Sequence, residues 1–386
     1  MKQIEKLRSN RRILNHLDII KEKIQKKVFD IGLLEFHPSD RCPLECMYCT
    51  YSNSKSAIFP FDGLEKLSIF NPRAVVISGG GEPLYYNYKG KNFVDLINKI
   101  SCIFPKSQMG LISNGQFIEK GDWVNTFDWV RISVDTSKDS TFKMIKDGDL
   151  QRSLDTIEFL LNQNVKHVGI GYVYSRLNIN EVYDFLKLVY KTFYLNTSDE
   201  IRKKINIQFR PTCMVSSCNC PSESYREIRQ LMTPDDKPWW KNFVEIQKRL
   251  IFNDTDKDFV EFVKTCSNLS ENDLFCFQNS LPSFKKCYNS LIRAIVRANG
   301  DVFPCVMRAC NNAKPIANVL NITNVDEIYY NQMLYYNLSN NYCEGPNQCC
   351  RVDGHKNQLV DSYLDKNSLE MLSSEYELNS TINYFF

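Results

Sequence analysis

Three cysteines stand at a C-x3-C-x2-C spacing in Asp40-Arg41-Cys42-Pro43-Leu44-Glu45-Cys46-Met47-Tyr48-Cys49. A structural zinc site takes four protein ligands, commonly as two C-x2-C pairs, and here no fourth stands nearby. Three thiolates suit instead a cuboidal 4Fe–4S cluster with one iron left open to an outside ligand. The compartment agrees with that chemistry. The chain opens Met1-Lys2-Gln3-Ile4-Glu5-Lys6, with no apolar h-region, and no apolar run reaches transmembrane length. A cytoplasmic location is therefore expected. In a reducing cytoplasm, 15 cysteines in 386 residues read as metal or redox groups before disulfides.

The cysteine loop directly follows a β-type run, Leu33–His37. Five more such runs follow, at Ala74–Ser78, Met109–Ser113, Val130–Asp135, Val168–Val173 and Ile205–Arg210. Helical patterns separate several of them: Phe93, Leu96, Ile97, Ile100 and Ile103 share one face, as do Val182, Phe185, Leu186 and Val189. Strands joined by helical crossovers imply a parallel sheet. Six β/α units are too few for a closed barrel of eight, so the expected fold class is α/β, an open partial (β/α)6 TIM-like barrel over 31–210.

The strand ends carry the remaining polar groups. The second ends in Gly79-Gly80-Gly81-Glu82-Pro83, where glycines let backbone approach a ligand and Glu82 can accept from an ammonium. The third ends in Ser113-Asn114-Gly115, and the fourth holds Ser133 and Asp135. Such residues gather at the ligand-binding mouth of a parallel barrel, although strand-end capping explains Ser113 and Asn114 equally well. Arg210 closes the sixth strand, either clamping a substrate carboxylate or phosphate or serving a structural ion pair. Further on, Asn299-Gly300-Asp301 between Arg293–Arg297 and Val302–Phe303 reads as a hairpin turn that brings Cys287 and Cys305 to one side.

Cys42, Cys46 and Cys49, with Tyr48 before the last cysteine and Gly80-Gly81-Glu82 beyond the second strand, resemble the signature of the radical S-adenosylmethionine (SAM) superfamily. The resemblance implies that Tyr48 packs near the SAM adenine and that Gly80, Gly81 and Glu82 bind its amino group. It implies that Ser133 and Asp135 face the SAM ribose and carboxylate, with Ser113 and Asn114 also beside the cofactor. The C-x12-G-x4-C spacing from Cys287 to Cys305, with Ile316-Ala317-Asn318-Val319 downstream, is similar to the SPASM or twitch extension of that superfamily, which holds auxiliary iron–sulfur clusters. A full SPASM set has more cysteines. Here Asn340 and Asp353 stand where flanking cysteines would be. The resemblance therefore implies one auxiliary 4Fe–4S cluster, ligated by Cys287, Cys305, Cys343 and either Cys349 or Cys350; a second would have to borrow from Cys213, Cys218, Cys220, Cys266, Cys276 or Cys310. In sulfatase-maturing relatives a carboxylate acting as base follows the second hairpin cysteine, whereas here Val306 does, so that role is disfavoured and no general base is assigned.

The expected organisation is a basic helical arm (1–30), the radical SAM partial barrel (31–210), a variable helical connecting or substrate segment (211–286), the auxiliary-cluster domain (287–355) and a terminal helix with tail (356–386). The expected function is that of a radical SAM oxidoreductase. It cleaves SAM reductively to a deoxyadenosyl radical and abstracts hydrogen from an unactivated carbon of a peptide or small polar metabolite, with a flavodoxin- or ferredoxin-type electron donor. A dehydrogenase or epimerase of a sugar or nucleotide, an RNA-modifying enzyme using the basic arm, and a non-catalytic iron–sulfur or zinc module stand as alternatives. Net charge is only +3, which does not call for a nucleic-acid or membrane partner.

Overall fold

The computed structural model describes residues 10–25, 28–49, 51, 56–175, 177–211, 246, 248, 250, 254–270, 284–310, 313–337 and 351–365. All six expected strands form: β1 Ile31–Phe36, β2 Pro72–Ile77, β3 Gln108–Ser113, β4 Trp129–Ser133, β5 His167–Tyr174 and β6 Ile205–Pro211. They run parallel in the order β6-β5-β4-β3-β2-β1. Each strand pairs with its successor in sequence, so the crossovers all step one way and the sheet winds as a barrel does. It stays open, with β6 at one edge. The Asn268 side chain covers part of that edge, accepting from Phe209 N at 2.8 Å and donating to Phe209 O at 3.0 Å.

The helical faces read from the sequence are the ones buried. Phe93–Ile103 starts at a capping box made by Asn92 and Asp95, then buries Phe93, Leu96, Ile97 and Ile100. Val182–Val189 buries Val182, Phe185, Leu186 and Val189. Both join the outward residues of the strands, such as Val75, Leu111, Val130 and Ile132, in one core. Inside the sheet's curve, Leu33, Ala74 and Val76 pack with Ile112 and Trp129 and form an apolar floor. Above it, the inward residues of β4 and β6 keep contact with water, while their outward neighbours are buried.

The expected hairpin forms from β7 Arg293–Val296 and β8 Asp301–Phe303, paired antiparallel. Gly300 turns it at φ 86, a conformation that favours glycine. Its placement is new. β7 also lies parallel to β1, and β9 Ala317–Asn318 pairs antiparallel with β8, so the hairpin extends the barrel's own sheet to nine strands. The β7–β1 pairing joins segments far apart in sequence, and no local periodicity reports it.

The basic arm packs on the rest of the chain. Ile13, Leu17, Ile19 and Ile20 form a core with Tyr288, Leu291, Ile292 and Val360. Lys23 turns inward too, donating to Leu291 O at 2.5 Å and Gln332 Oε1 at 3.0 Å. The helix Arg351–Asp365 runs across the 355/356 boundary drawn from the sequence.

Candidate active site

The cysteine loop leaves β1 and is fastened at both ends. Asp40 N donates to Ala57 O at 2.9 Å, and Met47 N donates to Ile145 O at 2.9 Å, tying the loop to the helix Asp139–Lys146. Cys42, Cys46 and Cys49 are in the thiol form and partly exposed. Burial pushes the Cys42 thiol up to about 11 and the Cys46 thiol up to about 12, and nearby thiols act in the same direction. At Cys46 the Lys146 charge acts the other way. Such thiols ionise readily when a metal replaces the proton. Among the described residues no three His, Cys, Asp or Glu side chains gather as they would around a single metal ion. A cuboidal cluster sets its thiolates farther apart, one to each iron, and three thiols near enough to act on one another electrostatically suit that arrangement. Asn114 adds an outer contact: its Nδ2 donates to Cys42 Sγ at 3.8 Å, the kind of hydrogen bond that tunes a cluster ligand.

Glu82 is buried at the end of the glycine run and takes part in the same junction. It accepts from Ser113 Oγ at 2.9 Å, from Asn114 N at 2.8 Å and from Leu84 N at 3.2 Å. Burial raises its pKa against the effect of those donors. A carboxylate has about four lone-pair sites, so one stays open to an ammonium. Gly80 and Gly81 also have a packing task that their position in the sequence did not indicate. A Cβ on Gly81 would collide with the backbone of Asp40 and Arg41, and one on Gly80 with the Asp40 carboxylate. The glycines let the cysteine loop pass close over the end of β2, where Gly81 N donates to Ser39 O at 3.0 Å and Glu82 N to Arg41 O at 2.8 Å. Ser113 and Asn114 cap the strand end, where Ser113 Oγ and Asn114 Oδ1 accept from Gly115 N and Gln116 N, and their donors reach Glu82 and Cys42.

Asp135 is buried with φ 68, in the left-handed region that Asp tolerates. Its Oδ2 accepts from Tyr48 Oη at 2.5 Å and from Lys146 Nζ at 2.9 Å, and its Oδ1 accepts from Val173 N at 2.6 Å. The Tyr48 hydroxyl is thus committed to Asp135, leaving the ring for any stacking role. Lys146 also donates to Ser133 O at 2.5 Å. The sequence reading missed Lys146, because a lysine on an amphipathic helix carries no local mark of being buried.

An ionic layer crosses the barrel above its apolar floor. Arg293 on β7 pairs with Glu35 on β1 and approaches Asp353 at 3.6 Å. Burial alone would raise the Glu35 carboxyl, but Arg293 and His37 hold it far below the usual carboxylate range. Arg297 pairs with Asp40 at 3.2 Å. Cys305 acts electrostatically on Arg293, and Asn357 Nδ2 donates to Cys287 Sγ at 3.7 Å. Cys343, Cys349 and Cys350 lie outside the described residues. Cys266 and Cys310 are buried thiols. Arg210 lines the concave face from β6, beside Arg131 of β4.

Comparison with known proteins bears on this junction. Residues 36–189 match the Radical SAM superfamily. The matched segment holds the three cysteines, Glu82, Asn114 and Asp135, and the Radical SAM superfamily is one of enzymes. The GTP 3',8-cyclase of Clostridium perfringens (strain SM101 / Type A) is 30% identical over 180 residues, 42% of this chain and 53% of that protein. The chain thus spans about half the length of the curated relatives it matches. Streptococcus suis SuiB bound to S-adenosylmethionine has a TM-score of 0.54 at 15% identity, covering 88% of this chain and 75% of that one. Native anSMEcpe with bound AdoMet and Cp18Cys peptide has a TM-score of 0.53 at 18% identity, covering 89% and 98%. These likenesses show the fold of the radical SAM segment and its surroundings. No helix among the described residues is long and apolar enough to cross a membrane.

Proposed function

We propose that this chain is a radical SAM enzyme that cleaves SAM reductively and abstracts hydrogen from an unactivated carbon of its substrate. Cys42, Cys46 and Cys49 would hold the 4Fe–4S cluster, and Glu82 would accept from the ammonium of SAM. When bound, cluster and SAM together supply hydrogen-abstracting radical chemistry. The protein's share is position. Asn114 carries the reading: one residue donates its side-chain amide to Cys42 and its backbone N–H to Glu82. The cluster loop and the ammonium acceptor are therefore set by the same strand end. Asp135 and Lys146 fix Tyr48 behind the last cysteine, and the apolar floor closes the barrel below.

We infer an auxiliary cluster on Cys287, Cys305, Cys343 and either Cys349 or Cys350, which would accept an electron from the substrate radical. A flavodoxin- or ferredoxin-type donor in the cytoplasm would supply the first electron. The substrate is a peptide or a small polar metabolite. Fold neighbours seen with peptides support the former; the resemblance of part of the barrel to GTP 3',8-cyclase supports a nucleotide. The test is deoxyadenosine release from SAM and dithionite by anaerobically reconstituted protein. Wild type should release it, and the Cys42→Ala/Cys46→Ala/Cys49→Ala triple variant should not. Release by the triple variant would sink the reading.

A further inference from the structure

Arg297 stands between the end of β7 and the turn at Gly300. Its N–H donates to Asp301 O at 2.9 Å, and Gly300 N donates to its carbonyl at 2.8 Å, so the hairpin fixes the backbone there. One residue earlier, Val296 O accepts from His37 N at 2.8 Å. The pairing of β7 with β1 therefore continues into the segment that becomes the cysteine loop.

The Arg297 side chain is buried and sends its donors in two directions. Nη2 donates to Asp40 Oδ1 at 3.2 Å. Nη1 donates to Ala309 O at 3.3 Å, on the helix Val306–Cys310 that follows Cys305. The guanidinium carbon also lies over the Tyr51 ring, 5.2 Å from its centroid. His37 meets that same ring at 88°, with centroids 5.5 Å apart. Gly80 leaves room for the ion pair, since a Cβ there would strike Asp40 Oδ1 and lie 3.4 Å from Arg297 Nη2.

Asp40 comes two residues before Cys42, and Tyr51 two residues after Cys49. One side chain from outside the loop thus touches both of its ends. Thiolates gathered at one cluster repel each other, and a loop fixed at its two ends resists being forced open. Arginine suits the task because its planar fork donates in several directions while its face rests on an aromatic ring.

We propose that Arg297 is a positioning residue for the three-cysteine site, clasping both ends of the loop from the hairpin so that the three thiolates stay at cluster spacing. The radical SAM reading enters only in calling what the loop holds a 4Fe–4S cluster.

The test is iron per chain in the anaerobically reconstituted full chain, read together with circular dichroism. Arg297→Gln should lose about four irons relative to wild type, the share of one cluster, while its circular dichroism is kept. Arg297→Lys returns a cation to Asp40 and should regain part of that iron. In the Cys42→Ala/Cys46→Ala/Cys49→Ala background, Arg297→Gln should remove no further iron. Taking away one partner of a buried pair strands the other's charge, so the neutral Arg297→Gln/Asp40→Asn variant serves where the single change folds poorly. It should fold and lose the same iron, because Gln is shorter and has no guanidinium to lay over Tyr51. Wild-type iron in either folded variant overturns the proposal, as does iron loss that comes only with loss of the fold in both. Further iron loss in the triple-cysteine background also overturns it, for Arg297 would then act through Ala309 on the Cys305 side. Equal iron in wild type and the triple variant sinks this proposal and the radical SAM reading together. Iron held by wild type and lost from Arg297→Gln, with no deoxyadenosine released by wild type, sinks that reading alone.

Discussion

Tyr48 donates its hydroxyl to Asp135 Oδ2 at 2.5 Å, and the bond ties the cysteine loop to the top of the fourth strand. Lys146 reaches the same oxygen at 2.9 Å, with both charged side chains buried. Tyr48→Phe removes a hydrogen bond to a charged group that keeps its other donors, and should cost about 1–3 kcal/mol. Asp135→Asn keeps the left-handed backbone, which Asn tolerates, but strands a buried ammonium. It should cost about 3–5 kcal/mol. Adding Lys146→Met to Asp135→Asn should cost less than the sum of the two single changes. Urea unfolding of the four variants checks the order; a Tyr48→Phe cost above that of Asp135→Asn would contradict it.

Gly81→Ala puts a methyl group into the backbone of Asp40 and Arg41, immediately before Cys42. Backbone has little freedom to yield there, because Asp40 N and Glu82 N hold it from either side. The expected outcome is loss of iron from the three-cysteine site in a protein that still folds, read as iron per chain together with circular dichroism. Full iron content in Gly81→Ala would show that the loop can pass the strand end at a greater distance.

The ligand sets proposed above make iron content quantitative. Reconstituted wild type should hold about eight irons per chain, and the triple cysteine variant about four. A wild-type value near four would leave Cys287 and Cys305 without a cluster. A value near twelve would require ligands among the other cysteines.

Lys23 gives stability a pH dependence. Burial lowers its pKa from 10.5 to about 7, with Asp30 opposing. Between these values the unfolded chain binds more protons than the folded one, so stability rises with pH; below about 7 the penalty is present in full. From pH 7.5 to 8.5 the Lys23 contribution should be about 1 kcal/mol. The difference in unfolding free energy between wild type and Lys23→Met isolates it. A difference that stays flat across this window would mean that Lys23 keeps its ordinary affinity for protons in the fold.

What the sequence determined by itself was local. The cysteine spacing, the six strands and the faces of Phe93–Ile103 and Val182–Val189 rest on short-range periodicity, and burial follows periodicity wherever one face of an element meets a core. The hairpin at Gly300 was legible for the same reason, since its turn needs only neighbouring residues. Tertiary structure alone decided which distant groups meet. It set β7 against β1, and it put Asp40 and Arg41 over Gly81, giving the glycine run a packing role. It brought Lys146 to Asp135, and Arg297 to both ends of the cysteine loop. Each of these depends on the register of strands or helices from separate crossovers. A lysine or arginine reads alike in sequence whether it ends in water or inside a barrel; burial and the charges around it follow from where the rest of the chain passes.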